Sequence, residues 1–153
     1  LKWPNDVLLN GRKVAGLLNE LNAETERIHY LVLGIGVNLN MTESQFPTNL
    51  RSPATSLLIE GGSEVPRLDF ARTLLRRIDG LYRHYLTDGF APVLAAWEGR
   101  CKMIGRKVEV DYQHSKLTGT VSGLDASGAL LLRLPNGAVE RVLAGDVHLI
   151  PEG

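Results

Sequence analysis

Asp6 and Lys13 stand on either side of an Asn10-Gly11 pair that is flanked by apolar runs, Val7-Leu8-Leu9 before it and Val14-Ala15 after it. Asn-Gly in that setting is the strongest short-range hairpin signal, because both central positions of a type I′ turn need positive φ. A two-residue loop then pairs Leu9 with Arg12, Leu8 with Lys13, Val7 with Val14 and Asp6 with Ala15. Paired residues share a face and faces alternate along a strand, so Asp6 and Lys13 point into one space, roughly 7 to 8 Å apart by diagonal geometry. A carboxylate there can hold a divalent cation, and a compact ammonium can neutralise a carboxylate or phosphate oxygen. The same two groups can equally form a half-exposed ion pair contributing about 0 to 1 kcal/mol. Spacing alone does not choose.

The element that must stand beside this pair is the next apolar stretch, Ile28 to Leu39, which follows a polar turn at Ala23 to Arg27. Its residues are apolar on both faces, the pattern of a central strand covered on both sides. A period of two puts Ile28, Tyr30, Val32, Gly34, Gly36 and Asn38 on one face. Two positions without side chains followed by an amide make a flat shelf that a ligand can approach closely. The competing reading is that Gly34 and Gly36 only allow a bulge or close packing. It is not a dinucleotide fingerprint, since Leu39 occupies the third glycine position and no helical pattern opens there.

Four ordered blocks, Lys2-Trp3-Pro4-Asn5-Asp6, Arg12-Lys13-Val14-Ala15-Gly16, Gly34-Ile35-Gly36-Val37-Asn38-Leu39 and Pro53-Ala54-Thr55-Ser56-Leu57, resemble successive blocks of the biotin protein ligase (biotin–[acetyl-CoA-carboxylase] ligase) family. The last fifty residues also resemble that family's small C-terminal domain. The resemblance implies an α+β fold: a mixed sheet with packed helices, as in a class II synthetase-like catalytic domain truncated at its N-terminal side, over residues 1–102, then a small SH3-like β-barrel over 103–153. It implies ATP-dependent formation of biotinyl-5′-adenylate and transfer of biotin to a lysine of the biotin carboxyl carrier protein of acetyl-CoA carboxylase. Lys13 matches the family lysine on biotin's carboxylate and the phosphoryl oxygen and is the expected catalytic residue. Gly16, Gly34 and Gly36 are expected to border biotin, Lys2, Asn5 and Asn38 to serve the nucleotide, and Asp6 to hold Mg²⁺. The resemblance opens in mid-domain, without the family's upstream Gly/Arg-rich loop, so these residues alone are expected to bind poorly and catalyse little. It leaves room for a homodimer. Two alternatives stay open: a relative that transfers lipoyl or octanoyl groups, and a non-catalytic dimerisation or docking module.

Seventeen basic and seventeen acidic residues cancel over 153 positions, which argues against a general nucleic-acid-binding surface. Cys101 is the single cysteine, so neither an intrachain disulfide nor a thiol metal site is expected, and a reducing, cytoplasmic setting fits best. The longest apolar run, Tyr30 to Leu39, is far short of the roughly 20 residues a membrane helix needs. Ser52-Pro53 reads as the start of a helix ending at Gly61-Gly62. Asp69 reads as the cap of a longer one, whose stripe of Phe70, Leu74, Ile78, Leu81, Tyr82 and Tyr85 is expected to pack on the sheet. The arginines at 72, 76, 77 and 83 read as a solvated face, and Trp97, on a third helix near Pro92 to Gly99, as core. From Ile104 the texture becomes short strands between glycine turns, near 107–112, 117–124, 129–134, 138–143 and 147–150. His114 and His148 there lack nucleophile or metal-ligand spacing and are expected to carry no chemistry.

Overall fold

The structure, a computed structural model, describes residues 1–24, 27–50, 52–112 and 115–150. The chain forms two compact units, one of Asn5–Arg72 and one of Leu1–Pro4 with Thr73–Gly153. His114 and the middle of the expected turn between Ala23 and Arg27 lie outside the described residues.

In the first unit, β1 (Asp6–Leu9), β2 (Arg12–Glu24) and β3 (Arg27–Val37) form an antiparallel sheet in the order β1-β2-β3. Asn10 and Gly11 have φ of 50° and 78°, the conformation the Asn-Gly turn demands. The expected pairs Leu9 with Arg12 and Leu8 with Lys13 form, and the register then slips at a β-bulge, so Val7 faces Ala15 and Asp6 faces Gly16. The bulge has a packing cause. Val14 and Ala15 are both buried, at 6% and 8% exposure, and strict alternation would force one of them outward. The sheet is antiparallel rather than mixed; the parallel element is a lone bridge from Lys13 to Ala54. β3 is an edge strand, not a covered central one, and Ile28, Tyr30, Leu31, Val32 and Leu33 are all exposed.

The expected helix at Ser52-Pro53 starts later. Residues 53–55 are held extended against β2, since Lys13 N–H donates to Pro53 O at 2.8 Å and Thr55 N–H donates to Lys13 O at 2.9 Å. α1 (Leu57–Gly61) begins only after Ser56, whose hydroxyl accepts from Ile59 N–H and donates to Met41 O at 2.6 Å. Two further α1 amides, Leu57 and Leu58, donate to Asn38 O and Leu39 O beyond the end of β3, so the helix start is satisfied and fixed there. Asn40 clips the intervening loop shut by bonding both polar atoms of Val65.

α2 (Arg67–Asp88) begins two residues before Asp69 and crosses the boundary between the units. Its stripe is not sealed as expected: Phe70, Leu74 and Ile78 are half-buried, and Leu81, Tyr82 and Tyr85 are exposed. None of the three helices contributes a buried residue. Arg72 and Arg83 pair with Asp69 and Asp79 on the exposed helix surface, the expected solvated face.

In the second unit, α3 (Ala91–Glu98) precedes β4 (Lys107–Tyr112), β5 (Ser115–Leu124), β6 (Leu130–Arg133), β7 (Val139–Val142) and β8 (Asp146–Leu149). These strands form one antiparallel sheet in the order β7-β6-β5-β4-β8. Alternate residues Val108, Val110, Leu130 and Leu132 are fully buried and join Met103, Val121, Val142 and Val147 in a core, with Trp97 packed against it. Trp3 belongs to this core; its indole N–H donates to Gly128 O and its amide to the Met103 sulfur, each at 3.3 Å. Asp125 closes the β5–β6 turn by accepting from Ser127 Oγ, Ser127 N, Ala129 N and Arg141 Nε.

Candidate active site

The bulge at Val14 decides the geometry of the first unit's charged pair. With one residue inserted between them, Lys13 and Gly16 both turn to the face that carries Asp6, and Lys13 Nζ lies 2.5 Å from Asp6 Oδ1. A β-carbon on Gly16 would come within 3.1 Å of both Lys13 Cε and Nζ and 3.7 Å of the Asp6 carboxylate. Gly16 is thus glycine because the lysine end lies across it.

Asp6, Lys13 and Gly16 open on a cavity of about 760 Å³, within the range of small-molecule sites. Gly36, paired with Gly16 across the sheet, and Asn38 continue its polar wall. Met41, Phe46, Leu50 and Ala54 supply an apolar wall. The lining therefore combines a charged pair, two glycines and apolar side chains, which suits an apolar acid with its carboxylate at Lys13. The Lys13 side chain is 42% exposed and the Asp6 side chain 15%. Lys13 thus keeps a solvent-facing side on which an incoming anion can reach its ammonium beside Asp6.

The other expected residues are distributed differently. Gly34 faces Leu18 two residues back along β3, roughly 7 Å at the usual strand rise, and is not among the residues lining the cavity. Asn38 directs its amide N–H to Thr55 O at 3.0 Å, fixing the wall it stands in. Asn5 donates to Leu17 O at 2.7 Å and receives Leu17 N–H on its own carbonyl, so it ties the start of β1 to β2 outside the lining. Lys2 falls in the other compact unit, half-buried beside Trp3 in sequence. Among the described residues no group of three His, Cys, Asp or Glu is arranged to hold a metal, and Asp6 is the carboxylate that faces the cavity.

A residue not foreseen is Glu60. Its carboxylate accepts from Asn10 Nδ2 at 2.6 Å, Arg12 at 2.6 Å and Thr55 Oγ1 at 2.7 Å. The Thr55 hydroxyl above all, then Asn10 and the Arg12 charge, hold its carboxyl below the ordinary range. The signal was a lone acid between Ile59 and Gly61 on a short apolar helix.

Comparison with known proteins places these features in one lineage. Residues 1–38 match the model of the biotin/lipoate A/B protein ligase family, and residues 103–149 match that of the biotin protein ligase C terminal domain. The bifunctional ligase/repressor BirA of Bacillus subtilis (strain 168) is 34% identical over 149 residues, covering 97% of this chain and 46% of that protein. The biotin–[acetyl-CoA-carboxylase] ligase of Paracoccus denitrificans is 36% identical over 138 residues, covering 90% and 58%. Among solved structures, the apo biotin protein ligase from Aquifex aeolicus superposes with a TM-score of 0.84 at 29% identity, covering 99% of this chain and 65% of that one. The same enzyme in complex with biotin and ATP gives 0.80 at 28% identity, covering 99% and 62%. The chain spans about half the length of the curated relatives it matches. Two family models at its two ends, relatives aligned along nearly all of it and a shared fold agree: the chain belongs to the biotin protein ligase family.

Proposed function

We propose that this chain carries part of an ATP-dependent ligase that makes biotinyl-5′-adenylate and passes biotin to a lysine of a biotin carboxyl carrier protein of acetyl-CoA carboxylase. The observation that carries the reading is the Lys13 ammonium standing over Gly16 in a cavity otherwise lined largely by glycine and apolar side chains. In the first step a biotin carboxylate oxygen bonds to the α-phosphorus of ATP, and the bond from that phosphorus to the bridging oxygen breaks as pyrophosphate leaves. The obstacle is an anion meeting a polyanion. Lys13 lowers it by placing fixed positive charge between the carboxylate and the phosphoryl oxygen, where negative charge gathers in the transition state. In the second step the neutral amine of the acceptor lysine bonds to the acyl carbon, the acyl–oxygen bond to AMP breaks and the amine loses a proton.

Gly16 and Gly36 form the floor under biotin, with Gly34 further along the same strand, and Asn38, Asn5 and Lys2 are assigned to the nucleotide side. One cavity carboxylate, Asp6, suits an Mg²⁺ that arrives on the nucleotide phosphates and takes most of its ligands from them and from water. Such an ion would neutralise phosphate charge. We read residues 1–102 as part of a class II synthetase-like catalytic domain and 103–153 as a small SH3-like barrel, a division that the two family-model matches straddle. No described helix is long and apolar enough to cross a membrane, and the reading is of a cytoplasmic enzyme. The match of residues 103–149 to the biotin ligase C-terminal domain favours biotin over lipoate.

The test is single-turnover pyrophosphate release with protein in excess over ATP, followed by transfer of labelled biotin to a carrier domain. Release that requires biotin supports the reading. Release that requires lipoate in place of biotin removes it.

A further inference from the structure

We infer that Glu60 is a positioning residue for Lys13, acting through the segments on either side of it rather than on the substrate; this rests on the role proposed for Lys13. The Lys13 backbone, paired with Leu8 across the hairpin, directs its own hydrogen bonds to a segment that forms no continuous ladder: its N–H reaches Pro53 O and its C=O receives Thr55 N–H, a lone parallel bridge beside the β-bulge. A lone bridge is weakly determined, so something else must hold 53–55 against β2. Glu60 does so from behind. Its carboxylate takes Arg12, the residue before Lys13, and Thr55, the residue that closes the bridge, on one oxygen, and Asn10 of the hairpin turn on the other. The Glu60 side chain is 8% exposed, and it is not among the residues lining the cavity. The three donors come from both sides of the bridge, so losing the carboxylate frees the hairpin tip and the Thr55 segment together. The lysine over Gly16 would then sample positions away from Asp6.

The consequence is read in three variants of the chain, by calorimetric affinity for biotinyl-5′-adenylate and by hydrogen exchange at the Lys13 amide. Glu60→Gln removes the negative charge opposite Arg12 and one of the two acceptor oxygens that hold residues 10, 12 and 55, and is expected to weaken binding about tenfold or more and to speed Lys13 amide exchange. Glu60→Gln combined with Lys13→Ala is expected to bind no more weakly than Lys13→Ala alone, because both changes remove the same ammonium from the site. Asn10→Asp combined with Glu60→Gln exchanges the acid and the amide across the same contact, and is expected to regain affinity and protection. Asp tolerates the positive φ at position 10. Unchanged affinity and exchange in Glu60→Gln, or losses that multiply in the Lys13→Ala double variant, overturn the inference. Failure of the unsubstituted chain to bind counts against the ligase reading instead, and the exchange comparison, which needs no ligand, then decides the role of Glu60.

Discussion

Lys13 and Asp6 meet across 2.5 Å at the cavity, and on the proposed reading the Lys13 ammonium is the group a substrate anion meets. Lys13→Ala is expected to slow adenylate formation about 10²-fold while changing ATP affinity far less, because the role proposed for the ammonium is at the biotin carboxylate and the phosphoryl oxygen of the α-phosphate which that carboxylate attacks. Pre-steady-state pyrophosphate release checks this, and an unchanged rate would take Lys13 out of the mechanism. Gly16→Ala tests the neighbouring contact. The added carbon would press on Lys13 Cε and Nζ at 3.1 Å, and both belong to the flexible end of a side chain. The expected outcome is an unchanged thermal midpoint with biotinyl-adenylate bound about tenfold more weakly, equivalent to one weakened charge-assisted hydrogen bond. At this scale the sequence was legible where a residue's chemistry is local. Lys13 and Asp6 could be named from type and spacing and Gly16 through the family resemblance, whereas Glu60 could not, because its three donors come from positions 10, 12 and 55 and meet only after folding.

The hairpin and the short strands announce themselves through turn chemistry. Asn10-Gly11 places β1 and β2, and all five strands between 107 and 149 fall within two residues of where alternation and glycine turns put them. The bulge was not legible, since it follows from burying Val14 and Ala15 together. Nor was the extended run 53–55, because Ser52-Pro53 carries a helix-start signal that pairing with Lys13 overrides. Ser56 takes the cap instead, so Ser56→Ala is expected to cost about 1 kcal/mol in denaturant unfolding, and more through the Met41 carbonyl left without its donor. In the second sheet, the hydrogen bonds of Ser127, Ala129 and Arg141 hold the Asp125 carboxyl far below the ordinary range. A carboxyl lowered in the folded state contributes stability that is fully present above its unfolded pKa and is lost as pH falls. The chain should therefore lose stability as pH drops below about 4, and Asp125→Asn should be less stable at pH 7 with a flatter acid limb. An identical acid limb in wild type and variant would contradict this.

Over the whole molecule, apolar burial is unequal. Val108, Val110, Leu130 and Leu132 are fully buried, while Leu18, Leu21, Leu31 and Leu33 of the first sheet are exposed. Amides of the first group are expected to exchange with solvent orders of magnitude more slowly than those of the second, and equal rates would contradict the burial pattern. The expectation that β3 is covered failed for a physical reason: a run apolar on both faces states what the strand needs, not what the chain supplies. The four blocks that carry the family resemblance include Trp3, which lies in one core, and Lys13, which lines one cavity. The most direct measurement is calorimetry of the chain with biotinyl-5′-adenylate and lipoyl-adenylate at concentrations up to the millimolar range. The account predicts binding that prefers the biotinyl compound and falls about a hundredfold in Lys13→Ala; preference for the lipoyl compound, or silence with both, would contradict it.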